Sequence, residues 1–184
     1  MATVGKVFVV NPPFVDDFCR TQRWAARTRG RVLRSPTWLA YATAVLEERG
    51  IDTELYDFPA LRWGKDDLRR LLVERRPTHV ILDSTTPSIY SDIECARMAK
   101  DVCGAEVIMV GPHASGDPAG TLGAAKGAVD ALCIGEYDFS AADSVEARGN
   151  YEDVGGIWYS TGGKPVMGPP RPAVHDIDTI PFPA

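Results

Sequence analysis

The chain lacks most of the residue patterns that mark a self-contained catalytic site. It has four cysteines, at 19, 95, 103 and 133, and no two stand as C-x-x-C. Zinc and iron–sulfur ligation need clustered thiolates, so neither is supported. Cys95 and Cys103 lie eight apart in a helical stretch and read as packing residues. Such scattered thiols fit a reduced, cytoplasmic setting. There are only three histidines, His79, His113 and His175, far apart in sequence and in no Ser-His-acid order. Excess cation is missing too: the net charge is −5 and the sequence pI about 5.2. Generic nucleic-acid binding, which relies on clustered Lys and Arg to neutralise phosphate, is therefore disfavoured. No apolar run approaches the ~20 residues of a membrane span, and the N-terminus enters a strand too soon for a signal peptide.

What remains is an α/β pattern. At 184 residues and 45% hydrophobic composition, the chain can hold one domain with an ample core, plus a tail. The stretch from Glu106 to Ser115 organises the reading: a β-branched apolar run ends abruptly in Gly111-Pro112-His113. Runs at 6–10, 79–83 and 130–134 end the same way, in Asn11-Pro12-Pro13, Ser84-Thr85-Thr86 and Gly135-Glu136. A further strand at 51–57 alternates and reads as nearer an edge. Helical spacing is found at 37–50, capped by Thr37, and at 66–75, 88–102, 118–126 and 140–147. Strands alternating with helices imply a parallel sheet, whose ligand site lies outside the carboxyl ends of the strands.

After residue 150 the period changes. Thr161-Gly162-Gly163 between two short apolar runs is a β-hairpin signal, and residues 168–184 hold five prolines. The expected organisation is a domain at 1–150, then a hairpin and linker at 151–184 leading toward a further domain.

The first loop excludes two common α/β sites. A phosphate cradle needs free N–H groups, and Pro12 and Pro13 remove two of them. This argues against a flavodoxin-type FMN loop. A response-regulator receiver would need an acidic pair after the first strand, where Asn11-Pro12 stands, and a lysine after the fifth. Asp83 therefore reads as a strand-end residue bonding nearby loop amides. Residues 15–36 form a long connection with Arg20, Arg23, Arg27, Arg29, Arg31 and Arg34. It reads either as a solvated, partly helical excursion or as a surface meeting an anionic substrate or another domain.

The ordered set of a strand ending in Asn-Pro-Pro, Pro-Thr-Trp-Leu-Ala-Tyr opening a helix, Ser-Thr-Thr, Val-Gly-Pro-His-Ala and Ile-Gly-Glu resembles the N-terminal cobalamin-binding domain of class B, B12-dependent radical SAM enzymes. The resemblance spans nearly the whole chain. It implies a Rossmann-like, flavodoxin-like five-stranded parallel sheet in the order 2-1-3-4-5, with helices on both faces. It also implies a corrin lying over the carboxyl edge with its nucleotide tail entering the groove. The residues it places around cobalamin are Asn11, Pro12, Pro13, Phe14, Ser84, Thr85, Thr86, Gly111, Pro112, His113, Ala114, Gly135, Glu136 and Tyr137. Methionine synthase and the mutases carry Asp-x-His-x-x-Gly after the first strand, with the histidine ligating cobalt. Here that place reads Asn11-Pro12-Pro13-Phe14-Val15-Asp16, which implies base-off, His-off cobalamin, with no metal ligand or catalytic residue supplied by this chain.

The C-x-x-x-C-x-x-C motif of the radical SAM half is absent. The resemblance therefore assigns the [4Fe–4S] cluster, S-adenosylmethionine and the methyl-transfer or related radical chemistry to a further domain of the same polypeptide. The exposed corrin face and the arginine-rich loop would favour a homodimer. The alternative is a Rossmann-like docking or substrate-recognition module that no longer binds cobalamin.

Overall fold

The computed structural model describes residues 4–21, 25–28 and 30–184. Arg23 and Arg29 of the arginine-rich excursion lie outside the described residues. Five parallel strands form the centre: β1 (Val7–Asn11), β4 (Thr53–Asp57), β5 (His79–Asp83), β6 (Glu106–Val110) and β7 (Ala131–Cys133). Antiparallel β8 (Ile157–Thr161) and β9 (Lys164–Met167) extend the same sheet, in the order β4-β1-β5-β6-β7-β8-β9. The expected order of the parallel strands holds, with the hairpin paired onto β7. In the excursion, β2 (Phe18–Cys19) and β3 (Ala26–Arg27) make a separate antiparallel pair, where one reading was of a partly helical segment.

Parallel neighbours need crossovers, and these are helical. Helices α1 (Thr37–Glu48) and α7 (Asp138–Ala147) cover one face; α3 (Lys65–Arg75), α4 (Ile89–Cys103) and α6 (Pro118–Ala125) cover the other. The two-residue period of the strands feeds both layers. Phe8, Val10, Val80, Leu82, Val107, Met109 and Leu132 point to the α3–α4 side. Val7, Val9, Ile81, Ile108, Val110, Ala131 and Cys133 point to the α1–α7 side. β1 is buried throughout because it sits between β4 and β5, whereas β4 is half-buried at the edge.

Three local details depart from the sequence reading. Pro36, rather than Thr37, occupies the cap position of α1; the Thr37 hydroxyl donates back to the Ser35 carbonyl. β7 is one residue shorter than expected at each end, and the Asp130 carboxylate before it accepts from the Val107 amide at 2.7 Å and from Lys100. Two short helices, α2 (Phe58–Leu61) and α5 (Pro112–Gly116), fill the turns after β4 and β6. Among the described residues no helix is long and apolar enough to cross a membrane.

Candidate functional site

The strand order reverses between β1 and β5: the chain passes from β1 to β4 on one side, then back across to β5 on the other. Such a reversal opens a crevice at the carboxyl edge. Here the crevice is filled from above by Arg20. Its guanidinium donates to the Asn11 side-chain oxygen at 3.1 Å, the Pro12 carbonyl at 2.7 Å and Asp92 Oδ1 at 2.7 Å. Both Arg20 and Asp92 side chains are fully buried. The network continues outward on both sides. Asn11 donates to Asp57 at 2.8 Å, and the Ser88 hydroxyl donates to Asp92 Oδ2 at 2.7 Å while meeting Thr85 Oγ1 at 2.8 Å. The guanidinium also lies over the Phe18 ring, 5.3 Å from its centroid. One arginine of the excursion thus ties the loop after β1 to the start of α4.

With that crevice closed, the open space lies beside it, over β5, β6 and β7. It is a cleft of about 530 Å³ lined by Arg20, Asp83, Gly111, Pro112, Gly135 and Tyr137, with Trp38, Leu39 and Arg34 on the side of α1. Gly111 has φ +99, and a Cβ there would lie 2.3 Å from Asp83 Oδ1 and 2.6 Å from the Ser84 carbonyl. Only glycine fits that turn. Gly135 also has a positive φ, +69, but the space where its Cβ would be is open. Burial pushes the Asp83 carboxyl up to about 7; neighbouring Asp92 adds to the rise, and Arg20 and the Ser84 amide oppose it. Burial likewise holds the Tyr137 hydroxyl well above its usual range, so it stays a donor.

The residues expected from sequence fall into three sets. Gly111, Pro112, Gly135, Glu136 and Tyr137 line the cleft together. Thr86 and His113 meet in an exposed contact outside its lining, with Oγ1 and Nδ1 3.1 Å apart. The rest serve the scaffold or face elsewhere. Asn11 is committed to Asp57 and Arg20 on both atoms of its amide. Ser84 donates to the Val110 carbonyl and accepts from the Ala114 amide, joining the β5 and β6 turns. Thr85 turns inward to Ser88, Ala114 is fully buried, and Pro12 lies under Arg20. Pro13 and Phe14 face a second groove with Phe58 and Trp63. His79 opens β5 at the opposite edge, 3.5 Å from Glu106.

Sequence reasoning singled out the arginine-rich segment but not Arg20 within it, and it placed Asp83 at a strand end without a cleft. The signal for Arg20 lay in Phe18 and Cys19 beside it, which are buried with it. Trp38 and Leu39 read as helix residues, and nothing in their spacing distinguished a cleft wall from core.

Comparison with known proteins now bears on this geometry. The family model for the B12 binding domain matches residues 31–142. An uncharacterized methyltransferase of Pyrococcus horikoshii is 28% identical over 98% of this chain, and this chain spans 38% of that relative's length. Among solved structures, the radical S-adenosylmethionine methyltransferase TsrM from Kitasatospora setae, with cobalamin and a [4Fe–4S] cluster bound, is 18% identical. It superposes on the whole chain with a TM-score of 0.72, over 31% of its own length. The cobalamin-dependent S-adenosylmethionine radical enzyme OxsB, with aqua-cobalamin and S-adenosylmethionine bound, gives a TM-score of 0.76 at 14% identity, over 98% of this chain and 24% of its own. The parallel sheet, the cleft at its carboxyl edge and the family match converge, and the chain belongs to the B12-binding domain family.

Proposed function

We propose that this chain holds cobalamin for a B12-dependent radical SAM enzyme, a methyltransferase or a close chemical relative. The corrin lies over the carboxyl edge, base-off and without a histidine ligand, and the nucleotide tail enters the cleft beside Asp83. The observation that carries the reading is an open cleft at the edge expected for a corrin tail, bordered by a first loop with no histidine in it. The residues present fit the group. Trp38, Leu39 and Pro112 give the cleft apolar walls for an aromatic base. Gly135 leaves room for close approach of a ligand to the backbone. Arg34 and Tyr137 offer donors to a phosphate. Glu136 in the lining, and the exposed pair Thr86 and His113, suit the corrin amides. Cobalamin, when bound, supplies a cobalt that can carry a methyl group; this chain orients it and shields its lower face.

The activity of the intact polypeptide, its [4Fe–4S] cluster and its S-adenosylmethionine belong to sequence outside these residues in this reading. The relatives support it, since the matched segment is 38%, 31% and 24% of their own lengths.

The test is titration of the protein with hydroxocobalamin, followed by gel filtration and an absorbance spectrum. A retained corrin with a base-off spectrum, unchanged in His113→Ala, is expected. A base-on spectrum would overturn the coordination, and a colourless protein at high ligand concentration would favour a docking module.

A further inference from the structure

The excursion after β1 builds a second cavity, apart from the cleft. A groove of about 570 Å³ lies between that excursion and the turn after β4. Small-molecule sites span about 300–1,000 Å³, so the groove is large enough for one. Pro13, Phe14 and Leu33 give it one apolar wall, and Pro59 and Trp63 the other. Phe14 stays 39% exposed although it stands edge-on to Phe18, with ring centroids 4.9 Å apart. Trp63 is held the same way against Phe58, at 5.9 Å. Both walls are therefore fixed before any ligand arrives.

The charged lining is mostly arginine. Arg27, Arg31 and Arg62 stand against Asp16 and Asp17. Arg31 is set 3.7 Å from Asp17. The Arg27 and Arg62 side chains have no hydrogen bond or ion pair among the described residues, which leaves two uncommitted guanidinium groups against Asp16. The backbone points to the same place. Six described non-glycine residues have positive φ. Arg62, Arg76, Lys126 and Arg148 follow helix ends, where that conformation is ordinary. The other two, Asp17 at φ 57 and Arg31 at φ 54, end no helix, and both line this groove. Unfavourable backbone held in place by its surroundings concentrates at functional positions, ligand clamps among them.

We propose that this groove binds an amphiphilic anion, an apolar body carrying one carboxylate or phosphate, with the anionic group met by Arg27 and Arg62 and the body laid against Phe14 and Trp63. A guanidinium gives charge-assisted, often paired hydrogen bonds to either group. The apolar body removes its own surface and that of Phe14 from water. Inorganic phosphate would gain the charge contacts alone, and a neutral apolar molecule the burial alone. The site does not depend on the cobalamin reading, because the groove and the cleft share no lining residue.

The experiment is titration calorimetry of the protein with decanoate, decyl phosphate, decanol and decyltrimethylammonium, each below its micelle concentration, and with inorganic phosphate. Decanoate and decyl phosphate should bind at least about tenfold more tightly than the other three, and more weakly as salt is added. The tighter of the two identifies the head group. Arg27→Gln combined with Arg62→Gly should lower the affinity of both anions by about tenfold or more and leave decanol unchanged. Neither change strands a partner, and glycine suits the left-handed backbone at 62, so the melting temperature should not fall. Arg69→Gln, an exposed change outside the groove, should alter nothing. Decanol binding as tightly as the anions would overturn the charge recognition, and no binding of either anion would overturn the site. Anion binding that survives the double change, or that is lost instead in Arg34→Gln of the cleft, would put the ligand elsewhere and overturn the proposal equally.

Discussion

Two buried charges dominate at the residue scale. Arg20 and Asp92 are fully buried and paired at 2.7 Å. Removing one partner leaves the other charge without compensation in a medium that solvates it poorly. Arg20→Met should therefore cost about 3–5 kcal/mol, read as a lowered urea midpoint. Arg20→Met combined with Asp92→Leu should recover most of that loss, because no charge is then stranded. Asp83 gives a pH dependence of definite sign. Its folded value of about 7 lies above the ordinary 3.8, so the folded state holds the proton more firmly than the unfolded chain. Stability should fall as pH rises from about 4 to about 7 and stay low above that. Asp83→Asn should lose the slope and gain stability at about pH 8, by at most about 4 kcal/mol, read as melting temperature against pH.

At the element scale, the turns after β6 and β7 carry glycines with the same sign of φ and different surroundings. Gly111 has Asp83 and Ser84 within 3.0 Å of any added Cβ; Gly135 has nothing within 4 Å. Gly135→Ala should cost only the left-handed backbone penalty of about 1–2 kcal/mol. Gly111→Ala adds a clash with backbone atoms and should lower thermal stability by clearly more than that. The same comparison has a binding arm: Gly135→Ala, folded, should weaken cobalamin by narrowing the cleft. The long elements were legible because their patterns are strong. β5 is five consecutive buried residues, and α4 repeats its buried positions with helical spacing. The β2–β3 pair and α5 were not legible, because two to five residues carry too little local preference to stand without the tertiary contacts that hold them.

For the whole molecule, the hairpin and tail are tied into the sheet rather than trailing from it. β8 pairs with β7, and Arg171 from the tail shares Asp143 with Arg49, linking the tail, α7 and α1. The Ala184 amide reaches the Ala40 carbonyl at 3.2 Å. The division at residue 150 can be tested directly. A chain ending there would leave β7, buried at all three positions, as an open sheet edge. It should elute from gel filtration as aggregate, while the chain ending at Ala184 elutes as a defined species.

Sequence alone determined the parallel α/β class and, by resemblance, the strand order. The class follows from periodicity and from glycine and proline punctuation, which act locally and so are written locally. Tertiary structure decided the shape of the site. Whether Asn11 faces a ligand or an arginine depends on a residue nine positions away, folded back over the edge. Whether Asp83 is a strand-end cap or a cleft acid depends on Gly111 from the next strand and on Asp92 taking the buried guanidinium of Arg20. Burial and the competition of groups for one partner depend on three-dimensional neighbours, and no spacing along the chain encodes them.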